Sequence, residues 1–169
     1  MNQLLTEKVQ IASGFVPISM AAGANAGDWV SLKNFLRCAI VFFKAAGTAG
    51  DDPVITLLQA TSVAGSNSKA LNFTRIDSKQ GAALTAIGQF TKTEQAAGNT
   101  YSNLTLAETQ AIIVIDIKAE DLDIDNGFDC LQASVADVGT NAQIGGLLYL
   151  LHDPKFVDEA GLLPSAIAN

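Results

Sequence analysis

The sequence predicts an all-β chain folded as an antiparallel β-sandwich, of which a jelly roll is one form, with extended N- and C-terminal arms. Three observations carry that expectation. Short runs rich in Val, Ile, Leu and Phe recur at a spacing of roughly ten residues, the rhythm of sandwich strands. Between them lie Gly, Ala, Ser, Thr and Asn, and 14 glycines in 169 residues suit many tight turns. Where a run is long enough to show a period, the period is two: Ile113, Ile115 and Ile117 share one face.

The elements follow in order. Residues 15–20 read as a short strand, which Pro17 assigns to an edge or an arm. Residues 21–27 form a flexible loop, and residues 28–33 alternate, Trp29 and Ser31 opposing Val30 and Leu32. Residues 37–44 are a strand that is apolar on both faces from Cys38 to Phe43. A long turn at 46–53 leads to a strand at 54–60, a turn at 62–68 and a shorter strand near 69–76. The pattern is weakest at 77–109, where 81–90 reads as a short helix and 91–105 as polar and turn-rich. Residues 111–118 are a strand whose second face changes from Ile112 and Val114 to Asp116 and Lys118. Asn126-Gly127 then predicts a hairpin, because this pair readily takes the positive φ of a two-residue primed turn. Leu131, Ala133 and Val135 continue the returning strand, residues 137–143 form a loop, and residues 145–152 close the sheet. The expected division is an N-terminal arm at 1–19, a sandwich domain at 20–153 and a C-terminal tail at 154–169.

Composition excludes several function classes. Charged residues make up only 16% of the chain, against about a quarter in typical domains, so small and apolar groups must occupy much of the surface. The net charge of −7, with no two basic residues adjacent, argues against a nucleic-acid partner, which needs clustered Lys and Arg. The acid is concentrated: the chain from Glu108 onward carries a net −9 and the part before it +2, a polarity suited to contacts between copies if folding preserves it. No run reaches the ~18 apolar residues of a membrane span, and Glu7, Gln10 and Pro17 interrupt any leader-like stretch. The chain is expected to stay inside the cell that makes it, or to leave by lysis.

No catalytic, cofactor or metal constellation emerges. Cys38 and Cys130 sit in apolar runs, read as buried thiols without CxxC or Cys/His spacing. Asp121, Asp123 and Asp125 resemble the alternate oxygen ligands of a calcium loop, but Asn126 and Gln132 stand where that loop needs Gly and Glu. The stretch from Asp121 to Asp129 is therefore expected to be a solvated strand edge, with Leu122 and Ile124 inward. His152 is the sole histidine, and its neighbour Asp153 should point to the opposite face of a strand. Among the aromatic candidates for a saccharide platform, Trp29 and Tyr149 read as core and Tyr101 as exposed.

A free-standing sandwich wets its outer faces, so its strands should alternate apolar and polar. Residues 38–43 and 147–151 do not. Either loops roof their second faces or another subunit covers them, and the second is the preferred expectation because large apolar patches mark interfaces.

GDWVSLKNF (27–35), CAIVFFKAAGTAGDDPVITLLQAT (38–61) and GFDCLQASVADVGTNAQIGGLLYLLHDPKF (127–156) resemble small structural proteins encoded by tailed bacteriophages and prophages. These stretches are strand-and-turn signatures, and they supply no catalytic residues. The resemblance implies a virion component, most directly a capsid decoration or cement protein that binds the major capsid protein and copies of itself, often as trimers. Its location would be the virion, assembled in the host cytoplasm. A tail or connector protein and a virion-surface carbohydrate-binding module are the alternatives. Intersubunit contact is expected from the arm and the tail, such that deleting residues 1–15 would spare the sandwich.

Overall fold

The computed structural model describes residues 4–157 and 162–168. The rest of the expected arm and tail, residues 1–3, 158–161 and 169, lies outside the described residues. In chain order the strands are β1 (Val9–Ser19), β2 (Asn25–Ala26), β3 (Val30–Ser31), β4 (Phe35–Lys44), β5 (Ile55–Ala60) and β6 (Lys69–Ala70). They continue with β7 (Phe73–Gly81), β8 (Thr91–Gly98), β9 (Thr100–Tyr101), β10 (Gln110–Lys118), β11 (Cys130–Val135) and β12 (Ile144–Pro154). Two antiparallel six-stranded sheets pack as a sandwich. The first runs β1-β12-β4-β10-β7-β8; in the second, β11 and β5 are central, with β2 and β3 beside β11 and β6 and β9 beside β5. Among the described residues there is no α-helix, only short 3-10 turns.

Period-two patterning explains the packing. Cys38, Ile40 and Phe42 of β4, Ile113, Ile115 and Ile117 of β10, and Leu147, Tyr149 and Leu151 of β12 point inward. They meet Ile55 and Leu57 of β5 and Leu131, Ala133 and Val135 of β11 in one core. Tyr149 crosses that core, its Oη accepting the Ala133 N–H at 2.8 Å, and burial raises the phenol's pKa. Lys44 takes the inward position after Phe42 and is 1% exposed. Its ammonium donates to the carbonyls of Leu106 (2.6 Å), Ala107 (3.1 Å) and Thr109 (2.6 Å), tying the loop before β10 to the end of β4.

The short strands β6 and β9 lie along the same partner. Ala70 pairs with Leu58 and Lys69 with Gln59, whereas Tyr101 pairs with Ile55 and Thr100 with Thr56. Leu57 marks the gap: its carbonyl accepts the Leu71 N–H and its own N–H donates to Asn99. The chain thus runs along β5, leaves at Leu57 to build the β7–β8 hairpin in the other sheet, and rejoins the same row in the same direction.

Several expectations change. Asn126-Gly127 does not connect a hairpin, because β10 and β11 belong to different sheets. The positive φ is used instead by Gly127 (φ 79°), which closes the 3-10 turn Ile124–Asn126. That turn also leaves Ile124 57% exposed while Leu122 is buried, so residues 122–125 are not a strand with one inward face. The expected helix at 81–90 is only the turn Leu84–Ala86, and much of the turn-rich segment is β8. Of the segment expected as an arm, Val9–Ser19 is the edge strand β1, paired along β12. The tail docks on its own chain: Gln10 donates to the Pro164 carbonyl at 3.2 Å and Ser31 N–H to that of Ala166 at 2.7 Å. It spans from one sheet's edge to the other's, with Ala166 buried between. The two differently charged halves also interleave, since Arg37 pairs with Asp116 and Lys69 with Asp123.

Candidate interaction surface

The outward side chains of β1, β12, β4 and β10 form straight rows across the first sheet, and the register defines them. One row runs Ser13–Leu148–Val41–Val114, a second Gly146–Phe43–Ile112, and a third Ile11–Leu150–Ala39–Asp116. All these positions except Ser13, Gly146 and Asp116 carry an apolar side chain, and among the described residues no loop roofs them: Phe43 is 57% exposed, Leu148 46% and Ile11 45%. Polar groups border the patch. On β7, Asp77 follows Val114 and Lys79 follows Ile112. At one end of the sheet the next row is His152–Arg37–Lys118. The second sheet's outer face is different in kind, since Thr56, Gln132 and Ser134 interrupt its apolar positions.

A hollow deepens the patch where β1 bulges. Its register slips between Ser13 and Phe15 and again before Ile18. Glycine permits the crossing: a Cβ on Gly14 would lie 2.2 Å from Leu147 Cδ2, and one on Gly146 3.1 Å from the Pro17 nitrogen. The lifted segment walls an apolar cavity of about 400 Å³, with Val16, Pro17 and Ile144 around Val41, Phe43 and Leu148. Pro17 has no N–H to offer at this exposed edge, which discourages addition of a further strand there.

The polar end of the face is an ion network. The Arg37 guanidinium meets Asp116 at 2.5 Å, which raises the pKa of Arg37. His152 Nε2 lies 3.7 Å from Asp116, and Nδ1 lies 3.1 Å from Asp153. That second contact departs from the expectation that adjacent strand residues diverge. Asp153 adopts φ 54°, which breaks the alternation and turns its carboxylate toward the imidazole. Among the described residues, no Ser or Cys lines the adjoining clefts.

The other sequence candidates are dispersed. Cys38 is inward on β4, where burial raises its pKa; Cys130 is outward on β11, its thiol donating to Asp129 and pushed up to about 12 by burial. No disulfide joins them. The aspartates of 121–129 engage separate partners: Asp121 accepts from the Lys118 N–H, while Asp123 pairs with Lys69 and Asn126. Among the described residues no three His, Cys, Asp or Glu side chains converge as a metal site. Trp29 is half-buried with its indole under the turn at Gly65, and Tyr101, expected to be exposed, is 8% exposed. No described helix is long and apolar enough to cross a membrane.

Of the interaction face, sequence reasoning singled out β4 and β12. Ile11 and the hollow beside β1 were missed. They depend on a register that β1's own residues, with Gly14 and Pro17 among them, do not announce.

Comparison with protein-family models, with curated proteins and with solved structures found no match to this chain.

Proposed function

We propose that this chain is a structural protein that works by assembling with copies of itself and a larger lattice, as a virion decoration or cement protein of a tailed phage. One observation carries the reading: the outer face of the β1-β12-β4-β10 sheet is mostly apolar across three rows, with Ser13 and Asp116 at their ends, and among the described residues nothing covers it. Such a face gains about 25 cal/mol for each Å² removed from water. A soluble subunit with no partner would be expected to carry polar groups there.

Topology lends further support. Counting β2 with β3 and β6 with β9, the two sheets read β1-β12-β4-β10 and β2/β3-β11-β5-β6/β9, with β7–β8 added at one edge. Eight of the eleven connections pass from one sheet to the other. We read this as a jelly-roll order, an architecture recurrent in capsid subunits and lectins. Fold alone does not assign function, so the weight rests on the face. The capsid assignment itself comes from the phage resemblance of residues 27–35, 38–61 and 127–156.

The test pairs particle composition with solution mass. Wild-type protein is expected at fixed copy number on purified particles and as an oligomer by light scattering. The double variant Phe43→Ser, Leu148→Ser is expected to remain folded, run as a monomer and be lost from particles. A stable wild-type monomer absent from particles would overturn the proposal. Ring-shaped hexamers at the tail or connector would replace the capsid position with the tail alternative.

A further inference from the structure

Beyond Phe73 and Ile76, which enter the core, the β7–β8 hairpin is polar on both sides, which is unusual for a hairpin inside a sandwich. Its outward residues are charged: Arg75, Asp77 and Lys79 on β7, with Lys92 and Glu94 on β8. Past Ile76 its inward residues, at positions where a sandwich normally places Val, Ile or Leu, are Ser78 and Gln80, with Thr91, Thr93 and Gln95 on β8. They face a cleft of about 580 Å³, within the ~300–1,000 Å³ of small-molecule sites. The far wall is Tyr101, Ser102, Asn103 and Thr105, and Ile87 closes one side. No ionised group lines the cleft. The segregation of charge to the outer side and uncharged hydrogen-bonding groups to the inner side sets what the cleft can recognise.

Part of the lining is already locked in place. Gln80 and Asn103 exchange amide hydrogen bonds (3.0 and 3.3 Å), and Asn103 Nδ2 also donates to the Tyr101 hydroxyl at 3.1 Å. Gln80 further donates to the Thr105 carbonyl at 3.0 Å, and Gln95 Nε2 to that of Thr100 at 3.1 Å. These bonds hold the walls and orient the amides. The hydroxyls of Ser78, Thr91, Thr93 and Ser102 take no part in the network and line the space it frames.

We infer that this cleft binds an uncharged saccharide. Four uncommitted hydroxyls and a Gln95 carbonyl match the alternating donors and acceptors of a polyol, each hydroxyl being able to give and to receive. Half-buried Ile87 supplies the apolar contact that a sugar's C–H face needs, with the buried Tyr101 behind the far wall. With no cation in the lining and a net charge of −7 on the chain, sialylated or sulfated glycans are disfavoured. The site lies on the inner side of the β7–β8 edge, away from the apolar rows, so it stands independently of the assembly proposal and leaves that face free while occupied.

The test is a glycan array of neutral hexose and N-acetylhexosamine oligosaccharides with their sialylated and sulfated counterparts, probed with the full chain and followed by calorimetric titration of any binder. Wild type is expected to bind neutral members only. Thr93→Val, which keeps shape and removes a hydroxyl, is expected to weaken binding roughly tenfold. Ser102→Asp, at an exposed position that cannot disturb the core, should abolish it. Lys92→Ala, on the opposite side of the same hairpin, should leave it unchanged. A blank array with folded wild type, binding confined to the acidic glycans, or neutral binding that survives both Thr93→Val and Ser102→Asp would each overturn the inference.

Discussion

Lys44 is the residue whose setting most constrains the protein's response to pH. Burial lowers its pKa to about 8, yet three carbonyls accept from its ammonium. Between pH 8 and 10.5 the unfolded chain therefore holds a proton that the folded chain has released. Stability should rise with pH across that window, by up to about 1.4 kcal/mol per pH unit. Urea unfolding at pH 8, 9 and 10 should show this slope, and Lys44→Met should remove it. The same variant strips the donor from carbonyls packed against the core and should lose on the order of 1–3 kcal/mol at pH 7. The sequence offered no sign of this role: a Lys at the end of an apolar run looks like a strand leaving the core for solvent. Tyr101 and Asp153 escaped for related reasons. The first is buried by a loop of polar residues that covers it, and the second departs from strand geometry at one φ angle that composition does not encode.

At the level of elements, β1 is where the structure most alters an expectation. It pairs with β12 from Val9 to Ser19, so deleting residues 1–15 removes most of an edge strand and uncovers one side of β12. That truncation should lower the thermal midpoint sharply or prevent folding, whereas deleting residues 1–8 should leave the midpoint within a few degrees of wild type; differential scanning calorimetry separates the two. Legibility followed apolar content. Strands β4, β5, β10, β11 and β12 were readable because large apolar residues such as Val, Ile, Leu, Phe and Tyr dominate their inward positions at period two. β8, with the sequence TKTEQAAG, has no such residues, and only pairing with β7 makes it a strand. The Asn126-Gly127 signal was a true turn attached to the wrong connection: local chemistry fixes a positive φ, while the choice between hairpin and crossover belongs to the sheets.

Across the whole molecule, the two outer faces differ in character, and that asymmetry would make the proposed association directional. Contact through the apolar rows should strengthen with sulfate, which favours burial, and be little weakened by sodium chloride, because charge borders the face and does not cover it. Sedimentation velocity in the two salts checks this; dissociation by moderate sodium chloride would assign the contact to the Arg37–Asp116 end instead. The face was half legible in advance, since two strands apolar on both sides announced that something must cover them. That the described loops leave it bare was the preferred expectation, though the sequence alone cannot place the loops at 45–53 and 137–143 on which it depends.

The excursion that builds β7 and β8 leaves and returns at a single residue, Leu57. Its two ends are thus stapled to one point, like a drawer in a fixed frame. A longer, shorter or differently decorated hairpin can be spliced between residues 71 and 99 without rerouting the remaining strands, provided that it restores the packing of Phe73 and Ile76. A chain on this frame can diverge in this drawer alone, reshaping the cleft beneath the hairpin while the apolar rows of the other edge stay as they are.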